Sequence, residues 1–347
     1  MNFLKILLVS TFFITPSFSD YKDNLENVAS EILKIKPEDV KIQKQRKGMT
    51  SAGTYSIEAK DKKYILKIFN KKQKVELRKK ELEFVKIFSD LELGAKLVGV
   101  SKDNSAYIRE YIDGKTLKYE TMQDQDNIKS LAIAIKKLHN YKYKASESPN
   151  NHPERVEKHY KRAKEKNIAL PSSFEKSLKD YKEKTNSLPK ETVFCHNDLN
   201  PHNIIMDSNR NIYFIDLTGA GNSNRYEELG YITLLNGIFD ENLKIFLDTY
   251  FGRKATEDEL KFVKLSQKLT CFLTATVWFD FSESKKDKDI PMADRVKNLD
   301  NMLESKDLKS ATQLISTDTY VSIKSHKKDM IRSYAAGFYK EFVSTKF

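Results

Sequence analysis

The sequence predicts an α+β protein of two lobes, a small antiparallel β-sheet N-lobe and a large, mainly helical C-lobe. Short alternating runs separated by turn residues fill positions 40–69 and 96–112. Helical periodicity dominates after Asp113-Gly114. A single β island, VFCHNDLNPHNIIMDSNRNIYFID, interrupts the helices. The 347 residues suffice for two lobes that each bury a core.

Taken in order, Asn24 to Ile35 places Leu25, Val28, Ile32 and Leu33 at helical spacing, and Pro37 ends the helix. Strands follow: KIQKQ, a loop KGMTSAGT, alternating YSIEA, a DKK turn and YILKIF. A charged helix is expected from Lys72 to Leu91, then strands KLVGV and AYIREYI. In the C-lobe, LAIAIKKLH (131–139) has one apolar face, and Pro153–Lys166 and Ser172–Ser187 read as lysine-rich helices with solvated faces. After the β island, helices are expected at Glu227–Phe239, Asn242–Phe251, Glu257–Phe281, Ala293–Leu303 and from Asp318 to Phe342.

The formal charge of +12 comes from 51 lysines and 10 arginines spread over nearly every segment. Zinc-finger spacing, a recognition-helix signature and an aromatic ribonucleoprotein motif are all missing, so no nucleic-acid partner is expected. Cys195 and Cys271 form neither a CxxC nor a disulfide framework and read as buried thiols. The first twenty residues have Lys5, an apolar stretch from Ile6 to Ile14, the helix breaker Pro16, and small Ser17 and Ser19. That order is a secretory signal pattern over residues 1–19, with export, periplasmic or secreted or on to a host compartment, as the expected localisation. The alternative is an apolar N-terminal helix on a cytoplasmic protein. The run is too short to span a bilayer, and no other segment is apolar enough to form a stable membrane anchor. The expected domains are residues 20–112, the β-rich lobe, and 113–347, the mainly helical lobe.

The chemistry concentrates in His196-Asn197-Asp198-Leu199-Asn200-Pro201-His202-Asn203, with Asp216 ending a strand about a dozen residues later. Phosphoryl transfer needs a carboxylate near the attacking hydroxyl and hard oxygen ligands for Mg²⁺. Asp198 suits the first role, Asn203 and Asp216 the second, and His196 is structural. A polar β-hairpin loop is the competing reading of the same residues.

HxDxxxxN followed by a strand ending in Asp resembles the signature of the choline/ethanolamine kinase and aminoglycoside phosphotransferase families, relatives of the protein kinases. The resemblance implies a protein-kinase-like fold with ATP as co-substrate and Mg²⁺ as cofactor. It places Lys67, in YILKIF, on the nucleotide phosphates, and Glu81 as its ion-pair partner, with Glu76 and Glu83 as competitors. RKGMTSAGTYSI takes the place of the family's glycine loop, with Gly48, Thr50 and Ser51 as donors; Lys47 and Ser51 stand where the family has Gly and Asn. Glu110, Tyr111 and Ile112 match the segment that meets adenine. Arg225 and Glu228 fall in the places of the family's Arg-x-x-Asp-Ile-Gly and are expected near substrate. Trp278, supplemented by Phe279, Phe281, Tyr231 and Asp280, resembles one wall of the family's aromatic pocket for a quaternary ammonium, or is a core tryptophan at helical spacing. The family's acidic residues fall on Thr218 and Leu235. The similarity runs from Gln43 to Leu303.

The expected activity is therefore ATP- and Mg-dependent transfer to the hydroxyl of a small molecule, an amino alcohol such as choline or ethanolamine, or an aminoglycoside. The alternative from another class is a secreted nucleotide-binding pseudokinase that keeps the fold and lacks turnover.

Overall fold

The computed structural model of the protein describes residues 18–44, 53–70, 72–144, 151–283, 286–303 and 328–344. The signal pattern up to residue 17 and the loop positions Gly48, Thr50 and Ser51 lie outside the described residues. The described chain divides into two units. One holds residues up to Lys79 with Leu97–Tyr111; the other holds Lys80–Lys96 with everything from Ile112 onward.

In the first unit, α1 (Phe18–Leu33) precedes β1 (Lys41–Lys44), β2 (Gly53–Ala59) and β3 (Lys62–Ile68), and β4 (Leu97–Val100) and β5 (Ala106–Glu110) complete an antiparallel sheet. The strand order is β1-β2-β3-β5-β4, so β3 is central. The β2–β3 turn is Lys60-Asp61, not the expected DKK, with φ of 49° and 59°. Two successive positive φ angles give the two-residue turn whose twist matches the strands. Alternation decides the faces. Tyr55, Ile57, Ala59, Leu66, Ala106 and Ile108 form one core with Leu25 and Ala29 of α1, against which Val28, Ile32 and Leu33 also pack. Lys67, one residue on from Leu66, therefore lies on the other face, opposite Thr54 and Tyr107 in the neighbouring strands.

The helix α2 (Val75–Asp90) crosses the division of the chain. Its buried Phe84 and Phe88 pack in the second unit on Phe194, at ring distances of 5.8 and 5.9 Å. That unit continues through β6 (Gly114–Thr116), α3 (Gln125–Asn140), α4 (His152–Glu165), α5 (Phe174–Asn186), β7 (Thr192–Cys195), β8 (Ile204–Asp207) and β9 (Ile212–Phe214). After β10 (Gly221–Asn224) come α6 (Arg225–Leu235), α7 (Asp240–Phe251), α8 (Glu257–Asp280), α9 (Met292–Leu303) and α10 (Lys328–Ser344). The sheet β6-β8-β9 is antiparallel, and β10 pairs with β7. Sequence patterning does not reveal β10, because GNSN has no strand character; its pairing with the apolar VFC of β7 makes it a strand.

Helix α8 organises the core. It starts at a capping box between Thr256 and Glu259 and is buried along most of its later turns, from Leu269 to Asp280. Buried Thr270 and Thr276 satisfy their hydroxyls on the carbonyls of Ser266 and Phe272. A Cβ at Gly230 of α6 would come within 2.6 Å of the Ser266 backbone, so glycine permits the close approach of α6 to α8. Around Phe272, the rings of Phe174, Tyr181, Tyr339 and Phe342 lie 4.9 to 6.2 Å away. The C-terminal helix is thus part of this core. No helix among the described residues is long and apolar enough to cross a membrane.

The Tyr339 hydroxyl lies 2.9 Å from both Ser173 Oγ and Ser177 Oγ. Tyr339→Phe is expected to cost about 1–2 kcal/mol by leaving buried Ser177 short of a partner, and Tyr339→Ala about 3–5 kcal/mol by opening a cavity. Urea unfolding midpoints check both; equal losses would contradict the packing described.

Candidate active site

The HNDLNPHN segment leaves β7 and is tied down at nearly every residue. His196 is fully buried, its ring edge-on to Phe88 and Phe214. Its Nε2 donates to the Ile215 carbonyl at 2.9 Å, and Nδ1 accepts the Asp198 N–H at 3.3 Å. The two partners demand opposite roles, so the proton sits on Nε2. Asn197 takes the left-handed conformation, φ 65°, and its side-chain nitrogen donates to the carbonyl oxygens of Gly219 and Gly221. Leu199 is buried and Asn200 caps the turn Pro201–Asn203 by accepting from the His202 N–H.

These constraints present Asp198. Its side chain keeps 36% exposure. Oδ1 accepts from Tyr231 Oη at 2.8 Å and Arg155 Nη2 at 3.3 Å, and Oδ2 from Asn203 Nδ2 at 3.2 Å. Asn203 Nδ2 also donates to the Asp198 carbonyl at 2.8 Å. Its nitrogen being committed, Asn203 is left with Oδ1 as an oxygen donor. The Asn203 carbonyl accepts the Ile215 N–H at 2.9 Å, which links the loop to the residue before Asp216. Asp216 is itself left-handed, φ 59° and ψ 63°. For a non-glycine residue that costs about 1 kcal/mol and is found where a side chain must be aimed. Thr218 Oγ1 donates to one of its oxygens at 3.1 Å, leaving the other available.

Beneath the loop lies a buried relay. Glu228 is 1% exposed; its Oε1 accepts the Asn197 N–H at 2.6 Å and its Oε2 accepts from His139 Nε2 at 2.8 Å. His139 Nδ1 is 2.8 Å from the Tyr250 hydroxyl. Burial raises the Tyr250 pKa, so the phenol keeps its proton, and the chain runs Tyr250 to His139 to Glu228. Burial, with Glu228 beside it, also raises the Cys195 thiol well above its usual range. Both cysteines are free and buried.

The structure thus brings together His196, Asp198, Asn203 and the strand end carrying Asp216. Glu81 is buried in α2 within the second unit, whereas Lys67 belongs to the sheet of the first. Glu110 and Tyr111 are exposed at the end of β5, and the division of the chain falls just before Ile112. Three residues expected near substrate are engaged as follows. Glu228 has both oxygens spent under the loop. Arg225 is bound to Glu191, Nη1 to Oε2 at 2.6 Å. Trp278 is buried, 8% exposed, in α8.

Sequence reasoning missed Arg155, and it offered Tyr231 only as a supplement to an aromatic pocket, not as a partner of Asp198. Arg155 also donates to the Asn197 carbonyl at 2.7 Å and lies over the Tyr231 ring at 5.4 Å. The available signal was that Arg155 is one of two arginines in a helix that also carries three lysines. Next to it, His152 is 3% exposed, and burial reinforced by the Arg155 charge lowers its pKa to about 3.

Fold and site together define a kinase-like phosphotransferase. Among solved structures, the choline kinase of Cryptosporidium parvum Iowa II is similar at 15% identity, over 86% of this chain and 97% of that one, with a TM-score of 0.60. The choline kinase LicA of Streptococcus pneumoniae is 18% identical, over 79% of this chain and 97% of that one, TM-score 0.55. A choline/ethanolamine kinase family protein of Mesorhizobium loti is 14% identical, over 86% and 92%, TM-score 0.57. A search of curated proteins gave no match. Residues 42–231, more than half of the chain, match the model of the choline/ethanolamine kinase family, and the protein belongs to that family.

Because folded His152 resists protonation until about pH 3 while the unfolded chain takes a proton near 6.5, the unfolded state binds more protons between those values. Stability from this group is complete above pH 6.5 and is lost as pH falls toward 3, by at most about 1.4 kcal/mol per unit. Thermal unfolding of His152→Gln against pH is expected to be flatter over this window than that of the wild type. Parallel curves would contradict the assignment.

Proposed function

We propose that the protein transfers the γ-phosphoryl group of ATP, with Mg²⁺, to the hydroxyl of a small molecule. The observation that carries this reading is a partly exposed carboxylate, Asp198, held by Asn203 in a loop tied through Ile215 to Asp216. Asp198 accepts the proton of the acceptor hydroxyl as its oxygen bonds to phosphorus and the bond from phosphorus to ADP breaks. Asn203 Oδ1 and the remaining Asp216 oxygen are hard donors, few enough to leave room for water and phosphate oxygens, and so fit a magnesium ion. That ion, when bound, neutralises charge on the phosphates. Arg155 and Tyr231 keep the Asp198 carboxylate aimed. In the family pattern Lys67 is the residue for the nucleotide phosphates.

The family supplies the first acceptors to try, amino alcohols such as choline and ethanolamine, followed by aminoglycosides. The phosphotransfer screen uses ATP and GTP against these and other alcohols. Asp198→Asn is expected to lower kcat by about 10²–10⁴-fold, as loss of a positioned base does. Asp216→Asn is expected to remove most Mg²⁺ activation. Absence of transfer to every alcohol, or full activity in Asp198→Asn, would overturn the reading.

A further inference from the structure

Arg155, His159, Arg162 and Lys166 follow one another at i, i+4, i+7 and i+11 along α4 and its C-cap. At about 3.6 residues per turn these positions fall on one stripe of the helix. One end of the stripe is at the reaction centre, where Arg155 holds Asp198. The other end is at Asp280, the last residue of α8, which is 2% exposed. Its Oδ1 accepts from Lys166 Nζ at 2.5 Å, and Oδ2 lies 2.9 Å from His159 Nδ1 and 3.2 Å from Arg162 Nε.

A quaternary ammonium is held by aromatic faces and nearby carboxylates. Along this stripe both are taken. Arg155 covers Tyr231, and Arg162 and Lys166 stand over Phe281 at 5.3 and 5.5 Å. The carboxylate of Asp280 is met by cations of the same chain. Burial lowers the pKa of His159 despite Asp280, so three permanent cations face two carboxylates, Asp198 and Asp280. Part of this charge serves the structure, because Lys166 also reaches the Asp280 carbonyl at the end of α8, where cations are favoured. Arg162 is different. Only its Nε is bonded; Nη1 and Nη2 make no hydrogen bond among the described residues, and the side chain is 37% exposed. A guanidinium with two free nitrogens side by side is a fork for a carboxylate or phosphate.

We propose that the acceptor alcohol carries an anionic group, a carboxylate or phosphate, about 10 Å from its reactive hydroxyl and seated on Arg162, the spacing being the seven-residue rise from Arg155 along α4. The proposal rests on the phosphotransferase reading for the identity of the hydroxyl end. It separates this site from one built for a quaternary ammonium.

Equilibrium binding tests it independently of turnover. The full-length protein, saturated with Mg²⁺ and a non-hydrolysable ATP analogue, is titrated calorimetrically with straight-chain ω-hydroxy carboxylates of graded length, with the corresponding diol monophosphates, and with choline. The best anionic probe is expected to bind at least about tenfold more tightly than choline. Whichever series binds more tightly identifies the anion. Arg162→Gln, with its fold checked by thermal unfolding, is expected to erase most of that preference, and Arg162→Lys to keep part of it. Choline binding as tightly as the anions, no binding of either anionic series, or an unchanged preference in Arg162→Gln would overturn the proposal. Failure of phosphotransfer with anion binding intact would count against the catalytic reading alone.

Discussion

The carboxylate of Glu228 is the interaction on which the site depends. A glutamate with 1% exposure is costly to bury unless its oxygens are satisfied. Here one oxygen accepts the backbone N–H of Asn197 and the other accepts from His139, whose far nitrogen meets Tyr250. The contact to Asn197 fixes the peptide next to Asp198, so a buried carboxylate in α6 sets the path of a loop that has little regular structure of its own. Its placement relies in turn on Gly230, two residues on, which lets α6 approach α8 at Ser266.

Above that anchor the loop is held from three other directions. His196 bonds to Ile215 beneath, Arg155 reaches from α4 to the Asn197 carbonyl, and Asn236 Nδ2 bonds the Leu199 carbonyl. Left-handed backbone occurs at both Asn197 and Asp216, residue types that enter this region more readily than other side-chain-bearing residues. The arrangement suits phosphoryl transfer, in which the protein supplies position and charge rather than covalent chemistry. The same rigidity extends to the C-terminal helix, whose Tyr339 and Phe342 complete the aromatic core around α8.

Much of this was legible in the sequence because period and motif are local. The alternation around YILKIF, the apolar face of LAIAIKKLH and the HxDxxxxN spacing each correspond to an element or side chain found where expected. What escaped were residues whose role is set by a distant partner. Arg155 lies in a helix whose lysines and glutamates read as a solvated face, and only the fold brings it to Asp198, 43 positions away. β10 exists because β7 needs a partner. Glu228 matches a family position by sequence, yet its burial beneath the loop is a property of packing. Trp278, which the sequence offered either as a pocket wall or as a core tryptophan, is buried in α8 with Asp280, and Asp280 is bound by His159, Arg162 and Lys166.

The most direct test of the anchoring role is the separate measurement of kcat and of KM for ATP in Glu228→Ala and Glu228→Gln. Glu228→Ala leaves the Asn197 N–H and His139 without a partner, and kcat is expected to fall about 10²-fold with KM for ATP little changed, as befits displaced catalytic geometry. In Glu228→Gln the amide oxygen can still accept from Asn197, while His139 inverts its tautomer and donates to Tyr250, so most of kcat is expected to return. A folded Glu228→Ala variant with wild-type kcat, or a glutamine variant as impaired as alanine, would contradict the account.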